Sequence, residues 1–216
     1  MLKLPKLFDS NMVLQRDKKV PVWGWSNPGQ MVTIIFNNQS VNATAGDNGK
    51  WIAELNPIPA GGPYVMVIKT NTDEIKLPNV MVGEVWLCGG QSNMQWPVEY
   101  LPGRWQVQME ANYRNIRLLN VQPAGTKEGR DDIVATWVEC TPESVVPFSA
   151  VGYFFGRYLY QHLNVPIGLI NSSLGGTKAE WWTPAEGLEL YPELDIYRDI
   201  ESIKKSNRAR LAVWEE

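Results

Sequence analysis

A chain of 216 residues, 44% hydrophobic and 20% charged, has the balance of a globular protein and is long enough to bury a hydrophobic core. The formal net charge of −3 gives no indication of nucleic-acid binding. No apolar stretch approaches the roughly 20 residues that cross a bilayer. No cluster of His, Cys and Asp has the spacing of a metal site. The composition therefore argues against a nucleic-acid-binding, membrane-spanning or metal-centred protein.

Residues 1–80 predict a small β-sandwich domain. Short runs rich in Val, Ile, Phe and Tyr are separated by turn signals at close intervals, as in such sandwiches. The pair Asn37-Asn38 tolerates positive φ and suits a tight hairpin. Trp23, Trp25 and Trp51 are interpreted as large core residues of this domain, with a sugar-stacking face as the alternative.

The pattern changes after Asn79, and residues 81–216 predict a second domain in which strands and helices alternate. Residues 80–88 form a long apolar run with little alternation, as expected for a strand covered on both faces. The clearest helix opens at Pro147-Phe148-Ser149, and residues 167–172 form the next strand. Such an alternation implies a parallel sheet with right-handed crossovers.

The same patterns predict the remaining elements of this domain. These are a helix over residues 105–112, strands over 116–121 and 135–140, and an exposed loop over 125–132. In the clearest helix, a three-and-four spacing of apolar residues predicts one buried face, made of Val151, Phe154, Phe155, Tyr158 and Leu159.

The end of the sequence predicts two more helices. A capping box with proline at the first helical position, Thr183-Pro184-Ala185-Glu186, predicts a helix start. The last helix is predicted from about Asp195 and reaches Glu216 without a C-cap glycine. This pattern indicates a chain that is cut within a helix, and we expect a fragment of a longer protein.

A serine follows the first strand of the predicted second domain. Gly89-Gly90 leads from that strand into Gln91-Ser92-Asn93, and a second glycine pair, Gly175-Gly176, comes after the strand at residues 167–172. The carboxyl ends of parallel strands share one edge of a sheet, where ligands bind. Ser92 can attack an ester carbonyl there, while its own N–H and a glycine N–H stabilise the oxyanion. The alternative is that Ser92 is merely a helix N-cap.

The general base for such a serine is harder to find. The only histidine, His162, is predicted at the end of the helix before strand 167–172, so it faces the amino edge of the sheet. A six-residue strand separates it from Ser92 by roughly 20 Å, far beyond hydrogen-bonding reach. We interpret His162 as a partly buried residue at a helix terminus. The two cysteines, Cys88 and Cys140, are expected to be buried free thiols, with a disulfide between them as the alternative.

These segments resemble the sialate O-acetylesterase group of carbohydrate esterases, in the SGNH hydrolase superfamily. The likeness is carried by residues 8–16, 83–94, 168–177 and 179–184, and it extends over essentially the whole chain. It implies an incomplete three-layer α/β/α domain of the flavodoxin-like SGNH type after the β-domain. It also implies that Ser92 is the nucleophile and that Gly175 or Gly176 joins the N–H of Ser92 in the oxyanion hole. Gly90 stands where serine is as common in the family, a departure that we expect to be harmless.

One part of the family pattern is missing from this chain. The family has a block that commonly contains Gln-Gly-Glu and a later Asp-x-x-His that supplies the base and its carboxylate, and neither occurs here. The resemblance therefore implies an amino-terminal part that is inactive, or nearly so, by itself. It implies no metal and no organic cofactor.

The resemblance also implies an acetylated carbohydrate as substrate, either sialic acid or another glycan such as xylan or pectin. Residues near the motif loops are candidates for binding it: Gln91, Asn93, Trp96, Glu180, Trp181 and Trp182. Packing is the alternative for the tryptophans. Bacterial enzymes of this kind are often exported, which implies a periplasmic or secreted location, although residues 1–8 lack the long apolar region of a signal peptide. The oligomeric state stays open.

Two other functions are compatible with parts of the sequence. The leading alternative is a non-catalytic carbohydrate-binding protein that uses the β-domain and exposed tryptophans. The segment Gly175-Gly176-Thr177 could also cradle a phosphate at a helix N-terminus. No Walker-type lysine follows it at the right spacing and no acidic partner for a ribose is evident, so the sequence disfavours this second alternative.

Overall fold

A computed structural model describes residues 1–124, residues 130–183 and the single residue Gly187. The two helices predicted after residue 183 lie outside these described residues, and so does most of the predicted loop 125–132. Residues 1–175 form one compact unit and residues 176–216 a second, so the two are described separately.

The described part of the chain is a mixed β-sheet structure with few helices. Its strands are β1 (Val13–Gln15), β2 (Val20–Trp25), β3 (Met31–Phe36), β4 (Gln39–Thr44), β5 (Lys50–Leu55), β6 (Gly61–Lys69), β7 (Glu74–Cys88), β8 (Tyr113–Asn120), β9 (Trp137–Cys140) and β10 (Ile167–Asn171). Its α-helices are α1 (Ser92–Gln95), α2 (Arg104–Glu110) and α3 (Ala150–Leu163), and 3-10 turns lie at Val98–Tyr100 and Ala179–Trp182.

Apart from β1, which pairs in parallel with β7, the amino-terminal strands form two antiparallel sets around one hydrophobic core. Strand β2 pairs with β5, while β4, β3, β6 and β7 pair in that order. The β3–β4 hairpin turns at Asn37 and Asn38, whose φ angles of 44° and 62° confirm the predicted use of asparagine there. Trp51 is 3% exposed and belongs to this core, as predicted.

Strand β7 is 15 residues long and connects the two predicted regions. Its first part pairs with β6, and its last five residues, from Glu84 to Cys88, pair in parallel with β10. Between these parts lies Gly83, where a Cβ would collide with the carbonyl oxygen of Pro166. The predicted boundary at residue 80 therefore falls inside a continuous strand, and the division into two domains stays a prediction.

The carboxyl-terminal sheet of the first unit is parallel in its centre. Strands β7, β10 and β8 are parallel, as predicted. They are adjacent in that order, which was not predicted, and β9 lies antiparallel at the edge. A second hydrophobic core packs here, with Ile116, Phe148, Tyr153 and Leu169 all fully buried. This core supports the edge at which β7 and β10 end.

Helix α3 begins where the sequence predicts, but its buried face is a different one. Ser149 caps it by accepting a hydrogen bond from the Gly152 amide at 3.0 Å. The predicted face is wrong, because four of its members are 37–59% exposed, namely Val151, Phe154, Phe155 and Tyr158. The buried positions are Ala150, Gly152, Tyr153 and Gly156. A Cβ on Gly156 would press against Leu169 of β10, so the small residues allow close packing of helix on sheet.

A buried arginine joins the amino-terminal segment to β7 and β8. Arg117 is 2% exposed. Its guanidinium donates hydrogen bonds to the backbone oxygens of Asn11, Asn79 and Arg114 at 2.7–3.3 Å. It also donates to the side chain of Asn79 and pairs with Glu139 at 3.5 Å. Every N–H-bearing nitrogen of this buried cation thus has a partner within the protein, as a buried charge requires.

Replacing Arg117 by alanine should destabilise the protein, because it leaves carbonyl oxygens and Glu139 without their buried partner. We expect the free energy of unfolding to fall by about 3 kcal/mol, measured by urea denaturation. Arg114→Ala is the matched control, because Arg114 also pairs with Glu139 but its side chain is 74% exposed. That change should stay within about 0.5 kcal/mol. Equal effects of the two substitutions would contradict the proposed importance of the buried network.

Candidate active site

Ser92 lies at the carboxyl end of β7, where the sequence analysis places it. Gly89-Gly90 follows the strand, and Gly90 has a φ of 135°, in the region that favours glycine. Gln91, and not Ser92, is the N-cap of α1, so the interpretation of Ser92 as a helix cap is wrong. The side-chain oxygen of Gln91 accepts a hydrogen bond from the Ser92 hydroxyl at 3.2 Å. The serine is exposed to solvent at the first position of a short helix.

The segment after β10 brings Gly175 next to Ser92. The amides of Ser172 and Leu174 donate hydrogen bonds to the carbonyls of Cys88 and Gly90, which ties the two strand ends together. A Cβ placed on Gly175 would lie 3.2 Å from the Ser92 hydroxyl oxygen. Only a glycine leaves this space open beside the serine.

The amide of Gly175 already has a hydrogen-bond partner. Its N–H donates to the side-chain oxygen of Gln95 at 2.7 Å. An oxyanion bound by this N–H would have to take the place of the Gln95 oxygen. The structure thus brings Ser92 and Gly175 together, while their roles as nucleophile and oxyanion-hole donor stay predictions.

The other predicted site residues after Gly175 belong to the second unit. Gly176 has a φ of 77°, and Glu180, Trp181 and Trp182 lie in the 3-10 turn Ala179–Trp182. The indole N–H of Trp182 donates to the hydroxyl of Thr177 at 2.8 Å. Both tryptophans remain substantially exposed, by 57% and 44%. Their predicted role in substrate binding stays a prediction.

A cleft of about 440 Å³ opens beside Ser92. Trp96 and Tyr100 form one wall, with their rings edge to face and 5.6 Å between centroids. Both rings are more than half exposed, at 51% and 61%. Trp96 was predicted from the sequence, whereas Tyr100 was not. The predicted binding residues Gln91 and Asn93 are not among the described residues that line this cleft.

Polar side chains that the sequence analysis missed also line this cleft. Asn171 donates to the side-chain oxygen of Asn120 at 3.0 Å, and the Ser173 hydroxyl donates to Asn171 at 2.6 Å. Asn120 and Asn171 are the last residues of β8 and β10, and they pair in register. Ligands bind at the carboxyl ends of parallel strands, and this rule, which locates Ser92, also points to Asn120 and Asn171.

No histidine of this chain serves Ser92 as a base. His162, the only histidine, lies in the last turn of α3, which leads into the first residue of β10. Because β7 and β10 are parallel, that end of the sheet is opposite to Ser92. The His162 ring stacks on Tyr158 and hydrogen-bonds to the Tyr158 carbonyl at 2.8 Å. It is exposed, so the predicted partial burial is wrong.

The two cysteines are free and buried, which confirms the interpretation of both as thiols. Burial raises the pKa of Cys88, and it raises the pKa of Cys140 to about 12. Because the thiolate is the nucleophilic form, the raised pKa values make both thiols poor nucleophiles. Among the described residues, no group of three or more His, Cys, Asp or Glu side chains could hold a metal ion. No helix within those residues has the length and apolar character to cross a membrane.

Comparisons with known proteins identify the relatives of this chain. The sialate O-acetylesterases of Homo sapiens and Pongo abelii are each 32% identical to it over an alignment of 201 residues, and the match covers 84% of this chain. A crystal structure of a carbohydrate acetylesterase from Xanthomonas citri matches 86% of the chain with a TM-score of 0.83 and 36% identity. The chain is a homologue of the sialate O-acetylesterases. No family model matches it.

The homology covers only part of these relatives. The chain spans 38% of the length of the human and orangutan sialate O-acetylesterases and 43% of the Xanthomonas enzyme. The matched part includes the glycine-rich edge at Ser92, while the catalytic status of this chain does not follow from the homology.

Removing the Gln95 side chain should free the Gly175 amide. In Gln95→Ala, we expect the Gly175 amide proton resonance to move upfield and its exchange with solvent to accelerate, because the 2.7 Å hydrogen bond is lost. Two-dimensional NMR of the ¹⁵N-labelled chain measures both. Gln106→Ala is the control, because the side chain of Gln106 donates to Glu110 on the surface of α2. A Gly175 resonance that does not move in Gln95→Ala would contradict the bond.

Proposed function

We propose that this chain is the nucleophile-bearing part of a serine esterase that removes O-acetyl groups from sialic acid or other glycans. The observation that carries the proposal is the placement of Ser92 beside Gly175 at the carboxyl edge of parallel strands. Homology to sialate O-acetylesterases and to a carbohydrate acetylesterase supports it. In this proposal, the parallel strands belong to a three-layer α/β/α domain of the SGNH type that follows the β-domain.

The reaction follows from the chemistry of the serine. The Ser92 hydroxyl oxygen attacks the acetyl carbonyl carbon as its proton passes to a histidine base. Backbone N–H groups of Ser92 and of Gly175 or Gly176 stabilise the resulting oxyanion. The bond to the sugar oxygen then breaks, and the sugar leaves with the proton as its free hydroxyl. Water attacks the acetyl-serine in the same way, which releases acetate and restores the enzyme.

The histidine and its carboxylate are proposed to come from sequence other than the 216 residues of this chain. His162, its only histidine, lies toward the opposite end of the sheet. The family pattern places an Asp-x-x-His after the region that matches this chain. The reaction needs no metal and no organic cofactor, because the serine, the base and the N–H groups supply every step.

The acetylated sugar is proposed to bind in the cleft beside Ser92. The exposed rings of Trp96 and Tyr100 offer an apolar surface for the C–H face of a sugar ring. Asn120 and Asn171 place amide groups along the lining for its hydroxyls. Gln91 and Asn93, which flank Ser92 in sequence, are proposed as further contacts outside the lining of this cleft.

Acetate release tests the proposal directly. The complete product of the gene should release acetate from O-acetylsialic acid or from acetylated xylo-oligosaccharides. Ser92→Ala should lower kcat at least 1000-fold, on the order of the loss seen when a catalytic serine is removed. Ser40→Ala is the matched control, because Ser40 is an exposed serine on β4. The 216-residue chain alone should be as inactive as Ser92→Ala.

A second candidate function is carbohydrate binding without catalysis. The observation that favours it is that the Ser92 hydroxyl donates to the neutral amide oxygen of Gln91 and not to a base. Glycan binding by the complete product without any acetate release would favour this candidate. Acetate release that Ser92→Ala abolishes would exclude it.

A further inference from the structure

Glu99 is the only charged residue among the described residues that line the cleft beside Ser92. It lies in the 3-10 turn Val98–Tyr100, on the wall that carries the two exposed aromatic rings. Its backbone amide donates to the Val146 carbonyl at 3.0 Å, and Val98 before it is fully buried. The turn that carries this carboxylate is therefore fixed to the core below it.

The carboxylate of Glu99 has no ion pair within the described part of the chain. Arg104 approaches the same turn, but its guanidinium donates to the backbone oxygen of Glu99 at 3.1 Å and lies over the Trp105 ring, 4.6 Å from its centroid. Arg104 does not line the cleft, and neither does any other lysine, arginine or histidine among the described residues. The cleft thus presents a negative charge to its ligand and no positive charge.

The other polar side chains of this cleft are neutral amides and hydroxyls. Besides Ser92, Gln95 and Tyr100, they belong to Asn120, Gln122, Asn171 and Ser173. Such groups bind sugar hydroxyls, whereas an acid group is bound best by arginine or lysine through charge-assisted hydrogen bonds. A carboxylate such as that of Glu99 accepts a hydrogen bond from a hydroxyl that is roughly twice as strong as a neutral one. The lining therefore suits a ligand with hydroxyl groups and no acid group.

An acid group on a sugar in this cleft would lie within range of the charge of Glu99. A compact cleft of about 440 Å³ is about as wide as the Debye length at moderate salt, roughly 10 Å. Repulsion between two like charges about 4 Å apart lowers an equilibrium constant about fivefold in water, and by more where water is partly excluded. The charge of the cleft thus disfavours an acidic sugar and leaves a neutral sugar unaffected.

We propose that Glu99 is a specificity-determining residue, which makes the site select neutral acetylated sugars over acidic ones. Sialic acid carries a carboxylate, so it is a poorer substrate for this site than a neutral sugar is, in contrast to the substrate for which the relatives of this chain are named. The inference rests on the proposed function, because it takes the cleft beside Ser92 as the site of the acetylated sugar. It adds the charge of the sugar that the site accepts.

Pairs of sugars that differ by one negative charge test this inference. Acetate release by the complete product of the gene is compared between O-acetylsialic acid and its carboxamide, and between acetylated glucuronic acid and acetylated glucose. In each pair that is hydrolysed, we expect the neutral sugar to have a kcat/KM about tenfold higher at low salt. In 1 M NaCl, where the Debye length is about 3 Å, this ratio should fall toward one.

Two variants attribute the preference to Glu99. Glu99→Gln keeps the size of the side chain and removes its charge, so the ratio of kcat/KM should come close to one at low salt. Asp47→Asn is the matched control, because Asp47 is an exposed carboxylate between β4 and β5 that does not line the cleft. It removes the same charge from the protein and should leave the tenfold ratio unchanged. If Glu99→Gln fails to fold, the salt dependence of the unmodified enzyme decides.

The remaining outcomes separate the inference from the function on which it rests. Hydrolysis of the acidic sugar as fast as its neutral counterpart would overturn the role of Glu99 and leave the proposed esterase intact. A preference for the neutral sugar that persists in Glu99→Gln, or that 1 M NaCl does not reduce, would also overturn it. If acetate is released from none of the four sugars, the proposed function fails and the inference fails with it.

Discussion

The buried guanidinium of Arg117 is the interaction on which the rest of the structure depends. A buried charge is tolerated only when its hydrogen-bonding groups are satisfied, so Arg117 requires the carbonyls of Asn11 and Asn79 to be correctly placed. Both asparagines have positive φ, at 67° and 59°, a conformation that asparagine tolerates better than most residues. Two local turns are thereby linked to β8. Because Asn79 lies within β7, the same arginine links β7, which leads to Ser92, with β8, whose last residue Asn120 lines the cleft beside Ser92.

Strand β7 connects the hydrogen bonds of Arg117 with the candidate active site at Ser92. Its pairing with β10 places Cys88 opposite Asn171, and β10 in turn places Asn171 opposite Asn120. A shift of one residue in either pairing would send each side chain to the other face of the sheet. The glycine turn would then no longer present Ser92 beside Gly175. This register requires a glycine at position 83, because a Cβ there would collide with the backbone of Pro166, the residue just before β10.

Much of this arrangement follows from local sequence signals, whereas the contacts between distant elements do not. The hairpin at Asn37-Asn38, the cap at Ser149 and the strand that leads to Ser92 all depend on neighbouring residues, and each was predictable. The buried face of α3 was not predictable in this way. Hydrophobic periodicity identifies the face that carries large apolar side chains, whereas this helix packs against the sheet through Gly152 and Gly156. The bond between Gln95 and Gly175 joins residues 80 positions apart, and no local pattern encodes it.

That bond also indicates how a substrate would engage the site. An exposed N–H beside a glycine would otherwise be hydrogen-bonded to water, and the amide oxygen of Gln95 takes that place at 2.7 Å. A neutral amide oxygen forms a weaker bond than a charged oxygen does, by roughly a factor of two. An oxyanion formed on Ser92 would therefore compete successfully for the Gly175 N–H, whereas a neutral ester carbonyl gains little by displacing Gln95. In the proposed esterase, this exchange would favour the transition state over the bound substrate, which is the condition for an interaction to accelerate the reaction.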